Sequence, residues 1–188
     1  MNNIVRMILV VIGALILLGS TVLYFGTNKA NKLIDEANIA IDAGNDAAKT
    51  GGEKYSQLFT EANLRDFPTN RLLLAPTAKD LAAEMDLAAT NFDLAAKKFE
   101  DAAKQNVAAI HAGYWTAKQQ SFVKFAQSKR TFKAVAELVT DEKIISIDDL
   151  NAKLTPLIEQ ALLFDGEAKA LAAKADEIRD KNKDKFDS

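Results

Sequence analysis

Residues 147–178, IDDLNAKLTPLIEQALLFDGEAKALAAKADEI, place an apolar or small side chain at Ile147, Leu150, Leu154, Leu157, Ala161, Phe164, Ala168, Leu171, Ala175 and Ile178. Those ten positions follow alternating steps of three and four without a miss, the spacing of a helix that buries one stripe against a partner. Ser146 stands just ahead with Asp149 three residues on, a pattern that resembles a capping box and predicts the helix start. Pro156 falls inside the run, so it either kinks the helix or marks its true first turn behind Thr155.

The chain before this helix repeats the pattern. Trp115, Lys118, Phe122, Phe125, Lys129, Phe132, Ala136 and Val139 form one seam, ended by Asp141-Glu142-Lys143. Leu74, Ala78, Leu81, Met85, Ala88, Phe92, Ala95, Phe99 and Ala102 form another, with Pro76 near its start. Ala102 and Trp115 are one residue short of two heptads apart, so a turn between Gln105 and Gly113 or a phase slip in one long helix separates them, and the polar run Gln105-Asn106 favours the turn. The word Asp-Leu-Ala-Ala recurs at Asp80, Asp86 and Asp93, too irregularly for a solenoid. Asp93 with Lys97 and Glu100 with Lys104 are i,i+4 pairs of a solvated face.

A first helix is expected from about Lys29 to Leu64, ending before the turn Arg65-Asp66-Phe67-Pro68-Thr69, where Thr69 can cap the second helix. Its candidate helix-contact seam, Ala37, Ile41, Gly44, Ala48 and Gly51, is built from small residues. Such a seam needs another backbone to come close, either the large residues of the fourth helix or a second protein, including another copy of the chain. Gly51-Gly52 also marks a candidate break or a close helix contact.

Ahead of these helices, Met7 to Asn28 (MILVVIGALILLGSTVLYFGTN) contains no charged residue. A helix of that length spans roughly 33 Å, enough for the ~30 Å hydrocarbon core of a bilayer. Arg6 flanks one end, and Tyr24 and Phe25 sit near the other, where aromatic rings favour the interface. Cleavage near Gly19-Ser20-Thr21 is the competing reading, but apolar residues resume at Val22 and the run exceeds the usual signal-peptide core.

The expected organisation is therefore all-α: residues 1–27 a single-pass membrane anchor, 28–180 an elongated antiparallel bundle of three to four long, coiled-coil-like helices, and 181–188 a charged, flexible tail. A short N-terminal tail before a long C-terminal domain is the usual signal-anchor layout, which predicts an extracytoplasmic domain. One span followed by a helical domain resembles the LemA family in layout. The Arg-Arg-x-Asp-Leu-x-Pro-Asn motif of that family is missing, with Arg65-Asp66-Phe67-Pro68-Thr69-Asn70 a poor echo, so the resemblance covers architecture and transfers no residue.

Composition narrows the chemistry. All 26 acidic residues and all but one of the 24 basic residues lie beyond Thr27, and this near-neutral mixture offers nucleic acid no clustered basic face. There is no cysteine, which excludes disulfides, thiolate metal sites and a cysteine nucleophile. His111 is the only histidine, and the residue three before it is Ala108, so the Glu-x-x-His pattern of metal-binding bundles is missing. Gly51-Gly52 lacks the flanking glycine and hydroxyl of a phosphate loop.

Lys118 and Lys129, on the third seam, are expected to snorkel at its edge or to line a small anion pocket; the remaining charges map to outer faces. Phe92, Phe99, Phe122, Phe125, Phe132 and Phe164 read as core, and His111 as a bundle-end residue. The sequence thus predicts a non-enzymatic, membrane-anchored scaffold, spacer or interaction module of the cell envelope, with no cofactor, no metal and no catalytic residue. Its partners are the bilayer through residues 7–28 and a protein or second copy through the seams. The alternative is an extracytoplasmic sensor binding a small ligand between helices.

Overall fold

A computed structural model describes residues 28–67 and 69–186. The expected anchor and its flanks, residues 1–27, lie outside the described residues, and no described helix is long and apolar enough to cross a membrane.

Four long helices dominate: α1 (Asn28–Leu58), α3 (Arg71–Ala103), α4 (Ala109–Thr140) and α5 (Ile147–Asp180), with short α2 (Glu61–Arg65) and α6 (Lys183–Phe186). At ~1.5 Å rise per residue the long helices measure about 45–50 Å. α1 packs along α3, α3 along α4 and α4 along α5, whereas α1 and α5 make no comparable contact.

Ion pairs between helices fix the direction of each neighbour, because one partner's number rises as the other's falls. Glu36 pairs with Lys98 at 2.5 Å and Lys54 with Asp80 at 3.9 Å, joining α1 to α3. Asp93 pairs with Arg130 and Asp86 with Lys133, joining α3 to α4. Lys118 with Asp176 and Lys124 with Glu167 join α4 to α5. Each adjacent pair is antiparallel, as short connections require.

Local chemistry explains the boundaries. α1 runs through Gly51-Gly52 unbroken and stops near Phe59, where Asn63 Nδ2 donates to the carbonyls of Gln57 and Leu58 and Thr60 Oγ1 accepts from the amide of Asn63. These bonds satisfy orphan groups of two helix ends at once. The expected break therefore sits several residues later than the glycines. α3 starts behind Asn70, not Thr69, and has no side-chain cap; Pro76 and Pro156 both lie within continuous helices. Residues 104–108 form the turn between α3 and α4, which ends the choice between a turn and a phase slip. Ser146 caps α5, its Oγ accepting from the Asp149 amide at 3.1 Å.

The last long helix, α5, departs from its expected stripe. Its buried positions are Leu150, Leu154, Ile158, Ala161, Asp165, Ala168, Ala172 and Ala175. Two steps of four, from Leu150 through Leu154 to Ile158, move the stripe on by one residue, because a straight helix repeats nearer 3.6 than 3.5. Leu157, Phe164 and Leu171 are left half-buried at its edge, and Asp165 is carried into the interior.

The expected flexible tail is also corrected as far as Phe186. α6 folds back so that Phe186, 3% exposed, packs edge-on against His111 and Tyr114 with ring centroids 4.8 and 5.5 Å away. One large apolar ring outweighs the solvation of the charged residues around it.

The core divides along the bundle axis into two clusters. One, around Phe92, Phe99, Trp115, Phe122 and Phe125, holds both Ala30 at the start of α1 and Phe186. The other, around Tyr55, Leu81, Met85, Phe132 and Leu150, fills the opposite half.

Candidate functional site

The small-residue seam of α1 lies against α3, not against the fourth long helix, where sequence alone places its intrachain partner. Ala37, Ile41, Gly44, Ala48 and Gly51 are all buried. A Cβ built on Gly44 would stand 2.7 Å from Phe92 Cε1 and 3.3 Å from Asn91 Cβ. One built on Gly51 would collide with the Met85 methyl and come within 3.4 Å of Glu84 Cβ. The two glycines are the sockets into which Phe92 and Met85 of α3 fit.

The second feature is polar and interior. Lys129 and Asp165 are each 2% exposed, with Nζ 3.5 Å from Oδ1. Along α4 the pair falls between Phe125 and Phe132, and along α5 between Ala161 and Ala168, so it separates the two apolar clusters. The Lys129 ammonium also sits 5.6 Å over the Phe132 ring. Burial holds it below the ordinary lysine range, against the opposing pull of Asp165. Asp165 Oδ2 and Ser128 Oγ, both buried, have no hydrogen-bond partner among the described residues.

Lys129 thus neither snorkels nor lines an anion pocket, and Asp165 does not sit on an outer face as expected. Lys118 stays at the seam's edge, 3.4 Å from Asp176 and 5.6 Å over the Tyr114 ring. Between them Ser121 Oγ donates to the Ala168 carbonyl at 2.8 Å, and Lys124 reaches both Glu167 and the Phe164 ring. The α4–α5 seam is therefore a polar ladder on an apolar frame. A seam that takes two steps of four from Leu150 before alternating steps of three and four would have revealed Asp165, and Lys129 on the facing seam would have supplied its counter-charge.

His111, at the end of the bundle that holds Phe186, is engaged through Nε2 with the Lys185 carbonyl at 3.1 Å and against the Phe186 ring. At the opposite end Leu72, Leu73 and Ile145 are 85%, 78% and 73% exposed. Sequence periodicity missed this apolar tip because its residues lie in helix-end turns, where the stripe has no meaning. No protein-family model, curated protein or solved structure matches the chain.

Proposed function

We propose that the chain is a non-enzymatic helical module, tethered in the membrane through residues 7–28, that spaces or binds other components of the cell envelope. The observation that carries this reading is the placement of the bundle's two ends. Asn28, where the apolar segment joins α1, belongs to the same end as Phe186. The exposed Leu72, Leu73 and Ile145 belong to the other, about 45–50 Å away. A tether at Asn28 would leave the apolar tip as the part farthest from the lipid. Large exposed apolar side chains gathered in one place favour contact with another molecule.

Two measurements test it. A reporter active only outside the cytoplasm, fused after Ser188, should be active in a mature protein that begins at Met1 and stays with the membrane. Recovery of a soluble protein beginning at Ser20 or beyond would sink the tether. Photocrosslinkers at Leu73 should give discrete adducts in membranes that Leu72→Asp abolishes while helical content stays the same. Adducts indifferent to that substitution would remove the interaction module.

A further inference from the structure

Two apolar stripes compete along α5. The even heptad spacing of the sequence runs through Leu157, Phe164, Leu171 and Ile178, whereas the buried stripe runs through Ile158, Asp165 and Ala172. Leu150, Leu154, Ala161, Ala168 and Ala175 belong to both. A helix turns about 100° per residue, so the two stripes are centred roughly 50° apart. Leu157, Phe164, Leu171 and Ile178 already lie half-buried at the edge of the core.

We propose that α5 has two packed positions on α4, related by that rotation about its own axis, the second burying Leu157, Phe164 and Leu171 in place of Ile158, Asp165 and Ala172. The contact between the helices is built to permit the turn. Three of the five shared positions are alanine, and methyl groups interlock with a facing helix less than long side chains do. Among the described residues every ion pair from α4 to α5 is made by a lysine: Lys118 to Asp176, Lys124 to Glu167 and Lys129 to Asp165. A lysine's flexible stem lets the ammonium follow its carboxylate, where an arginine fork would fix it. α5 packs along no other long helix, so no second helix contact has to be remade.

Opposing gains separate the two positions. The first keeps the buried Lys129–Asp165 pair, the Ser121 bond to the Ala168 carbonyl and the Phe164 ring 5.2 Å beneath the Lys124 ammonium. The second buries more apolar surface and returns a carboxylate to water. Bringing Phe164 inward carries Asp165 towards the side of α5 on which Asp176, 43% exposed, already lies. The second position is therefore a minor state, populated at roughly 0.1–10%. α5 runs from the turn that carries Ile145 to the segment that docks Phe186, so its rotation links the two ends of the bundle. The two positions stand independently of the tether and of any partner at the tip.

The test follows the methyl groups of Leu157, Ile158 and Leu171 by NMR in the full chain held in detergent micelles. Relaxation dispersion should show one shared exchange rate at all three in the parent. Leu171→Gln should abolish it, because it removes apolar surface that only the second position buries. Ala172→Glu puts a carboxylate where the first position is closed and the second is open, and should make the second the major state. A soluble paramagnetic agent then reads the outcome. In the parent it should relax the Leu171 methyls faster than that of Ile158, which is 1% exposed, and in Ala172→Glu the order should invert. Flat dispersion in the parent, or dispersion indifferent to Leu171→Gln, would overturn the second position. So would an Ala172→Glu protein that keeps the parent's order, or one in which both residues open to the agent, since that is fraying and not rotation.

Discussion

Lys129 Nζ lies 3.5 Å from Asp165 Oδ1 in the middle of the bundle, where both side chains are almost wholly withdrawn from water. The pair joins α4 to α5, and α4 is the one long helix that α5 packs along. Truncating one partner leaves a buried charge without its counterpart, so Lys129→Met or Asp165→Leu alone should cost about 3–5 kcal/mol of unfolding free energy. The double variant should recover most or all of that loss, since well-packed apolar residues often replace a buried ion pair without penalty. Denaturant unfolding of the four proteins closes the cycle; additive losses would mean that the two groups do not interact.

Gly44 and Gly166 are both helical and should respond in opposite ways. The Cβ position of Gly44 is 2.7 Å from a Phe92 ring carbon, whereas nothing lies within 4 Å of that of Gly166. Gly44→Leu should overpack the α1–α3 contact and cost at least about 1–3 kcal/mol. Gly166→Ala should add roughly 0.5–1 kcal/mol, from helix propensity and a less flexible unfolded chain. Midpoints in urea check both. A Gly44→Leu protein as stable as the parent would contradict the packing of α1 on α3.

Alkaline pH should loosen the fold through its tyrosines. Burial pushes the Tyr114 hydroxyl up to about 12, with Asp176 adding to the shift and Arg179 opposing it. Burial alone raises Tyr55 well above the ordinary tyrosine range. Between the unfolded value near 10 and the raised folded values, the native chain holds protons that the unfolded chain has released. Stability should therefore fall as pH rises from about 10 to about 12. Tyr114→Phe should flatten that slope, and an unchanged slope would remove Tyr114 as its source.

Phe186 should contribute to stability despite its place near the end of the chain. Its ring is 3% exposed between His111 and Tyr114. Ending the chain at Asn182 should cost about 1.5–3 kcal/mol, the value of burying a ring of that size. It should also increase protease access near Tyr114. A truncated protein with the parent's melting temperature would show α6 undocked in solution.

The sequence by itself determined three to four long helices with short connections, the Ser146 cap and the small-residue face of α1; the turn at residues 104–108 that makes them four came with the structure. Periodicity, capping chemistry and glycine content are local, so each leaves its mark within a few turns of chain. Which helix fills Gly44 and Gly51 was decided only by the tertiary structure: Phe92 and Met85 reach them because α3, the next long helix, turns back against α1. The interior place of Asp165 was decided there too. A stripe drifting one residue from the heptad puts Phe164 at the edge and a carboxylate inside, and that exchange is tolerable only where Lys129 of another helix supplies the counter-charge. The docking of Phe186 depends on a helix end meeting residues distant in sequence. Such meetings are set by which surfaces can be buried together, and no periodic pattern encodes them.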